Sequence, residues 1–332
     1  MKVCIFGAGA IGGFIGARLA SVGHEVSAVA RGANAQALRE HGFRVKSAGG
    51  IEASPVQVAE DPAELGPQDL VVVAVKAPSL AAVAARVAPL IGEHTTVLVA
   101  MNGVPWWFFE GFGGEYAGMR LESVDPQGLI AEAIPMRSVV GCVVHIAASM
   151  PEPGLVQHNF GTGLIVGEPS GGISERVAAL AKSLGDAGFE AKASEAIQKD
   201  IWYKLWGNMT MNPLSAITGA TADLLLDDPQ VNRFCLQVMA EAGAIGVRIG
   251  CPVAQTGEDR MRITRKLGAL KTSMLQDVEA HRPVELDALV SAVTEIGRKI
   301  GEPTPFTDAL LGMARVHAQV RGLYPRAASE EG

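Results

Sequence analysis

The feature that most constrains this sequence is the run Gly7-x-Gly9-x-x-Gly12, which directly follows a short apolar segment at residues 2–6. An amphipathic segment then continues to about Val22. Strand, glycine turn and helix in this order form the context in which the motif binds a dinucleotide. Gly7 permits the turn, Gly9 lets the backbone approach a pyrophosphate, and Gly12 lets the helix pack on the strand. The predicted cofactor contacts in this loop are Gly7, Gly9, Ala10, Ile11 and Gly12.

The type of dinucleotide is indicated by the end of the second strand, predicted at residues 25–30. An NAD site usually has an acidic residue near this point, where it accepts hydrogen bonds from the adenosine ribose hydroxyls. This chain has Arg31 instead, and a guanidinium can form two charge-assisted hydrogen bonds with a phosphate. We therefore expect NADP(H), with an exposed arginine that touches no ligand as the alternative.

Two further strands are predicted at residues 69–75 and 95–100, with a helical pattern between them at residues 79–90. Lys76 follows the first of these strands, and Asn102 follows the second. In a doubly wound sheet, ligands bind beyond the carboxyl ends of the strands. Both residues are therefore candidates for contacts with cofactor or substrate, and ordinary loop residues are the alternative.

Composition places the chain among ordinary globular proteins and excludes several functions. It has 332 residues, of which 48% are hydrophobic and 19% charged, with a formal net charge of −7. This charge disfavours binding to nucleic acid or to an anionic membrane. The four cysteines and seven histidines are scattered without the spacing of a metal site, and no metalloprotease, serine hydrolase or P-loop motif occurs. We expect a cytoplasmic enzyme that acts on a small molecule without a metal.

The segment at residues 103–136 has little periodicity. It contains four adjacent aromatic residues, 106–109, beside a glycine-rich loop. We expect these aromatics to form core, with an active-site lid or a subunit contact as alternatives. Strands are predicted at residues 138–147 and 154–167, followed by a helix at residues 174–187.

After residue 189 the strand signal largely disappears, and helical patterns dominate to about residue 321. We therefore predict an α/β fold with two domains. A Rossmann-type, doubly wound domain occupies residues 1–195, and an all-helical domain occupies residues 196–332. The apolar helical half is compatible with a homodimer. The last residues, PRAASEEG, are expected to form a frayed tail.

Three polar residues, Lys204, Asn208 and Asn212, recur every fourth residue in the apolar stretch YKLWGNMTMNPLSAIT. In a helix, residues four apart differ by about 40° around the axis, so the three side chains project from one side. A buried amide or ammonium without a partner costs about 1–3 kcal/mol or more. The row therefore indicates either a solvated stripe or a face that contacts a polar ligand.

The motifs, in their order, resemble those of the ketopantoate reductase family. They are the GxGxxG loop, VAVKA with Lys76, MNG with Asn102, KLWGNMTMNPLSA with the polar row, and TSMLQDVEAHRPVELD with Ser273 and Glu285. The likeness covers nearly the whole chain. It implies an active site in the cleft between the two domains. It also implies reduction of a 2-oxo acid by NADPH, with ketopantoate converted to pantoate on the route to pantothenate and coenzyme A.

The resemblance also implies a role for each matching residue. Lys204 is the expected catalytic acid, and Glu285 is expected to assist it near the substrate hydroxyl. The implied substrate ligands are Asn208, Asn212 and Ser273. The implied cofactor ligands beyond the glycine loop are Arg31 and Lys76 at the adenosine phosphate and Asn102 beside the lysine and nicotinamide.

Elementary chemistry agrees with these roles. When hydride reaches a ketone carbon, negative charge develops on oxygen, and a cation that also delivers a proton lowers the barrier by both effects. Lys204 fits because an unperturbed lysine, with a pKa of about 10.4, is protonated at neutral pH. A carboxylate at Glu285 can hold that ammonium group. The two amides and the Ser273 hydroxyl offer hydrogen bonds to a small polar acid.

Two departures from the family pattern bear on the substrate. Ala222 stands where members often have a further substrate-binding asparagine, and the segment at residues 103–136 is longer than the pattern needs. A lost donor changes specificity more readily than it abolishes hydride transfer. A paralogue for another branched or aromatic 2-oxo or 2-hydroxy acid is therefore the first alternative. β-Hydroxyacid dehydrogenases share Lys-x-x-x-Asn but usually approach the lysine through glycines, whereas this chain has KDIWYK. A non-catalytic NADP-binding regulator is a remote alternative.

Overall fold

A ten-stranded mixed sheet forms the first half of the computed structural model, which describes residues 1–326. Residues 327–332 of the expected tail lie outside this range. The strands are β1 (Lys2–Phe6), β2 (Glu25–Val29), β3 (Phe43–Ser47), β4 (Gly50–Ser54), β5 (Gln57–Ala59), β6 (Leu70–Val73), β7 (Thr96–Ala100), β8 (Val139–Glu152), β9 (Leu155–Gly167) and β10 (Glu190–Ser194).

The order of the strands defines a dinucleotide-binding sheet. Strands β5-β2-β1-β6-β7-β8 are parallel neighbours, in the order of a Rossmann fold. The long antiparallel hairpin β8–β9 ends this parallel part. Strand β9 also pairs in parallel with β3 and β10, and β3 pairs with β4. The predicted doubly wound sheet is therefore confirmed.

Five helices belong to this half. They are α1 (Ala10–Ser21), α2 (Gly32–His41), α3 (Leu80–Ala84), α4 (Leu129–Ala133) and α5 (Glu175–Asp186). Helix α5 begins where the Ser174 hydroxyl accepts a hydrogen bond from the N–H of Val177. It buries Val177, Leu180 and Leu184 on the same face of the sheet as α1. Fully burying one such side chain stabilises the fold by about 1.5–3 kcal/mol.

The second half is helical and begins next to the last strand. Strand β10 ends at Ser194 and α6 (Ile197–Thr218) follows at once. The other helices are α7 (Ala222–Asp227), α8 (Pro229–Arg248), α9 (Gly257–Arg265), α10 (Ser273–Glu279), α11 (Ala292–Ile300) and α12 (Pro305–Val320), with a π-helical turn at Asp287–Ser291 before α11. No helix among residues 1–326 combines the length and apolar composition needed to cross a membrane.

The aromatic segment joins the two halves. Trp106, Trp107, Phe108 and Phe109 are all buried, so the expectation that they form core is confirmed. Phe108 packs against Trp202 of α6 with ring centroids 6.0 Å apart. The ring of Trp107 lies against Gly141 of β8, where a Cβ atom would be 2.5 Å from its Cη2. One apolar cluster therefore runs from the sheet into the helical half.

Three predictions of local structure were wrong or incomplete. The helix expected at residues 79–90 shortens to α3 with 3₁₀ turns on either side, and Pro89 lies within the second of these turns. A strand, β10, occurs after residue 189, where its sequence EAKAS gives little apolar signal but pairs with β9. Strands β3 to β5 were not predicted, and they are short and partly exposed.

Candidate active site

The glycine loop has the shape that a dinucleotide requires. A Cβ atom at Gly12 would lie 2.1 Å from the carbonyl oxygen of Gly7, so no side chain fits where α1 crosses β1. Gly7 has a φ of +102°, which favours glycine, whereas a Cβ atom at Gly9 would meet nothing within 4 Å. Gly9 precedes α1, whose first turn has neither a side-chain cap nor an acidic residue. The N–H groups there suit an anion, so the loop fits a pyrophosphate.

Asn34 holds this loop in place, and its role was missed from the sequence. Its Nδ2 donates to the carbonyl oxygen of Ala8 at 2.9 Å, and its Oδ1 accepts from the N–H of Gly154 at 2.8 Å. The side chain thus connects the glycine loop to the turn of the β8–β9 hairpin. Its sequence signal is weak, because an asparagine near the start of a helix is usually explained as a turn or capping residue.

The two cations predicted for the adenosine phosphate have different surroundings. Arg31 follows β2 at the start of α2, is exposed, and forms no ion pair within residues 1–326. Lys76 follows β6 and forms an ion pair with Asp277 of α10, on the helical half. The buried Asp277 carboxylate also contacts Nε of Arg282 at 3.2 Å. The structure thus shows Lys76 bridging the cleft, and its contact with phosphate stays a prediction.

Helix α6 carries Lys204 to the carboxyl end of β7 and to the middle of β8. The indole N–H groups of Trp202 and Trp206 donate to the Ala242 and Met239 carbonyls of α8, at 3.2 and 2.7 Å, which fixes the other side of α6. Nζ of Lys204 then donates to Oδ1 of Asn102 at 2.7 Å and to the Val144 carbonyl at 2.5 Å. Sequence reasoning placed Lys204 and Asn102 in one site, and the structure brings them into contact.

Burial shifts the pKa of both proposed catalytic groups. It lowers the pKa of Lys204 to about 8, although Cys142 and the Glu285 carboxylate each oppose the shift. Burial also raises the pKa of Glu285. The N–H of Ala77, which donates to Oε1 of Glu285 at 3.0 Å, and the charge of Lys76 both oppose this shift. Lysine and glutamate therefore both titrate closer to neutrality than they would in water, which suits groups that exchange protons.

The loop that carries Asn102 is docked on the segment that follows Glu285. The N–H of Val104 donates to the Ala288 carbonyl at 2.8 Å, within the π-helical turn. Gly103 has a φ of +84°, and a Cβ atom there would lie 2.4 Å from that carbonyl oxygen. Only glycine permits this approach, so Asn102 and Glu285 are held in a fixed relation.

The remaining members of the polar row, Asn208 and Asn212, have different surroundings. Lys204 and Asn208 line an opening of about 230 Å³ together with Asn102 and apolar residues from β8 and α6. Asn212, one turn further, is buried, and its Nδ2 donates to Oγ of Ser273 at 3.4 Å. Ala222 is buried at the start of α7 and supplies no polar group. The row therefore contacts partners on both halves and is not a solvated stripe.

A Rossmann-type sheet with a buried lysine held beyond its strands is typical of pyridine-nucleotide-dependent oxidoreductases. Two family models match the chain, "Ketopantoate reductase PanE/ApbA" at residues 3–171 and "Ketopantoate reductase PanE/ApbA C terminal" at residues 196–318. The chain belongs to the ketopantoate reductase family, as its motifs predicted.

Individual relatives agree with this assignment. A 2-dehydropantoate 2-reductase of Mesorhizobium japonicum is 45% identical over 98% of this chain and 100% of its own length. A solved structure assigned to the ketopantoate reductases, from Ralstonia solanacearum MolK2, has 57% identity and a TM-score of 0.94, covering 97% of this chain and 99% of that one. A D-mandelate dehydrogenase solved with NADH and anilino(oxo)acetate has a TM-score of 0.82 at 23% identity, over 97% and 100%, which shows a shared fold.

Proposed function

We propose that this chain reduces 2-dehydropantoate (ketopantoate) to pantoate with NADPH. The observation that carries the proposal is the hydrogen bond between Lys204 and Asn102 at an opening that Asn208 also lines, with the Glu285 charge acting on the lysine. The full-length likeness to a 2-dehydropantoate 2-reductase supports the choice of substrate. The domain division at residue 195, a cytoplasmic location and a homodimer belong to the same proposal. Sedimentation at several concentrations tests the dimer.

The roles of the side chains follow from where charge develops. When bound, NADPH would supply the hydride for the 2-oxo carbon. The carbonyl oxygen then becomes negative, and the Lys204 ammonium stabilises that charge and donates the proton that completes the hydroxyl. Asn102 and the Val144 carbonyl hold the ammonium group at 2.7 and 2.5 Å, so that it need not be reoriented during the reaction. Glu285 stabilises the charged lysine and accepts the hydrogen bond of the new hydroxyl.

The remaining polar groups bind the substrate. Asn208 lines the opening next to Lys204, while Asn212 and Ser273 lie further along and contact each other. Amide N–H groups and a hydroxyl suit the oxygens of a small hydroxylated acid. Because Ala222 supplies no donor, the fit to the far end of the substrate rests on these three residues.

A panel of 2-oxo acids that includes 2-dehydropantoate tests the activity through NADPH oxidation. We expect 2-dehydropantoate to give the highest kcat/KM. Absence of turnover with every acid would refute the reductase. A strong preference for an aromatic or another branched 2-oxo acid would refute only the substrate and favour the paralogue, which the buried Ala222 makes the second candidate.

The preference for NADPH is tested at Arg31, which is exposed at the end of β2. We expect Arg31→Ala to weaken NADPH binding about tenfold to hundredfold, since a hydrogen bond to a charged group contributes about 1.5–3 kcal/mol. Binding of NADH should change much less. Arg39→Ala is the matched control, because Arg39 lies on the same helix but pairs with Glu60. Equal losses for both cofactors would refute the phosphate contact.

A further inference from the structure

The segment that carries Glu285 has no regular secondary structure of its own. Helix α10 ends at Glu279, and the π-helical turn begins at Asp287. Residues 281–285, between these elements, form neither helix nor strand. The backbone of such a segment keeps one conformation only where other parts of the chain hold it, because ordering each residue costs conformational entropy. The contacts made by this segment therefore decide where the Glu285 carboxylate lies.

The residues that follow α12 hold this segment at two points. The N–H of Val284, next to Glu285, donates to the Leu323 carbonyl at 3.2 Å. The hydroxyl of Tyr324 donates to Oδ1 of Asp287 at 2.6 Å. Two consecutive residues near the end of the chain thus contact the residue just before the proposed catalytic carboxylate and the residue two positions after it.

The turn after α12 sets the direction of these two residues. Gly322 has a φ of +69°, which favours glycine, and the N–H of Leu323 donates back to the Ala318 carbonyl at 2.8 Å. Pro325 disfavours helical backbone at the preceding Tyr324. The end of α12 therefore presents the Leu323 carbonyl and the Tyr324 hydroxyl to the Glu285 segment in a defined orientation.

The contact with Asp287 is a charge-assisted one that persists at high pH. Oδ1 of Asp287 accepts from the Tyr324 hydroxyl and also from Oγ of Ser291 at 3.0 Å. Such bonds are about twice as strong as those between neutral groups. Burial and the Asp287 carboxylate raise the pKa of Tyr324 to about 12, although the Arg315 charge opposes the shift. The hydroxyl therefore remains a donor over the range in which Lys204, with a pKa of about 8, loses its proton.

The charged groups that act on Glu285 come from other elements. Burial raises its pKa, and the charge of Asp277 on α10 acts in the same direction. The N–H of Ala77 and the charges of Lys76 and Lys204 oppose this rise. The contacts from residues 323 and 324 act on the carboxylate through the backbone of its segment.

We propose that Tyr324 is a positioning residue, which holds the Glu285 carboxylate, through Asp287, where its charge acts on Lys204. The inference rests on the proposed function and adds to it a residue that acts through the protein. Without the hydroxyl, Asp287 loses a donor and the segment before it gains freedom. The Leu323 carbonyl still holds Val284, so the effect is partial.

The test compares Tyr324→Phe with Tyr116→Phe. Tyr116 is also half-buried, but its hydroxyl accepts from Nη2 of Arg248 on α8, at 2.8 Å. Each variant is assayed with the best 2-oxo acid of the panel. We expect Tyr324→Phe to lower kcat about threefold to tenfold with KM within about threefold of the wild type, since a small misplacement of a catalytic group is costly. Tyr116→Phe should keep both constants.

The pH profile of kcat distinguishes positioning from a merely structural role. In Tyr324→Phe the fall of kcat with rising pH should move to lower pH, because the Glu285 charge supports the protonated Lys204 less. A wild-type profile in Tyr324→Phe would overturn the inference even if its melting temperature fell, since weaker packing alone does not change the pKa of the lysine.

A double variant, Glu285→Gln with Tyr324→Phe, tests whether the two residues act as one unit. Once the carboxylate charge is gone, removal of the hydroxyl should shift the profile no further. A second shift as large as that of Tyr324→Phe alone would overturn the inference.

Hydrogen exchange tests the anchor independently of activity. Backbone N–H groups of residues 281–288 should exchange faster in Tyr324→Phe than in the wild type or Tyr116→Phe. Equal exchange in all three proteins would overturn the inference while leaving the reductase intact. If the wild type turned over no acid, the proposed function would fail, and the exchange rates would still decide whether Tyr324 holds the segment.

Discussion

The glycine loop after β1 and helix α6, which carries Lys204 to Asn102, contribute to the proposed site by opposite means. The loop contributes backbone N–H groups and the absence of side chains, since Gly12 has no room for a Cβ atom. Helix α6 contributes side chains, of which Lys204 is set by two hydrogen bonds. The loop should therefore be sensitive to any added atom. The helix should be sensitive to the loss of a particular charge or donor.

The largest effect is expected at Lys204, because it is the proposed donor of the proton. Lys204→Ala should lower turnover about 10²–10⁴-fold, the usual contribution of general acid catalysis. NADPH affinity, measured by fluorescence titration, should change little, since the loop is untouched. Lys199→Ala, an exposed lysine on the same helix, is the control. If turnover survived in Lys204→Ala, another group would be the acid.

The glycine loop is tested by adding one methyl group. In Gly12→Ala the new Cβ atom would lie 2.1 Å from the Gly7 carbonyl, so the loop must shift. We expect stability to fall by about 1–3 kcal/mol, and NADPH affinity to fall with it. The control is Gly185→Ala in α5, where a Cβ atom meets nothing within 4 Å and should stabilise the helix. Wild-type affinity in Gly12→Ala would show that the loop does not depend on close packing.

A smaller effect concerns the coupling of Lys204 to Glu285. Reduction requires the protonated lysine, so its rate should fall as pH rises through the pKa of about 8. The Glu285 charge raises that pKa, so Glu285→Gln should move the fall to lower pH. The control is Glu279→Gln, an exposed carboxylate that pairs with Lys271. The profile is measured as kcat against pH. An unchanged profile in Glu285→Gln would contradict the coupling.

The sequence predicted those parts of the site that depend on local chemistry. The glycine spacing indicated the loop, where Gly7 and Gly12 have no room for a Cβ atom. The four-residue period placed Lys204, Asn208 and Asn212 on one face. The family motif, and not periodicity, pointed to Ser273 and Glu285. The roles assigned to all these residues remain predictions until the variants are measured.

Other features depend on contacts between distant segments, which no local pattern encodes. Lys76 was expected at a phosphate, but its partner Asp277 lies about two hundred residues away in sequence and reaches it only through the fold. Asn34 has an ordinary helical context and Tyr324 follows the last helix, so the importance of each comes from what it contacts. Strand β10 forms because β9 offers a free edge there, although its own sequence is not strongly strand-like.

Gly103 carries no functional group, yet its close approach to the Ala288 carbonyl ties the amide of Asn102 to the segment after Glu285. A random-mutation screen for lost growth or activity should therefore recover substitutions at residue 103 as readily as substitutions of the reacting side chains. A redesign that grafts a new substrate loop should therefore keep glycine at residue 103.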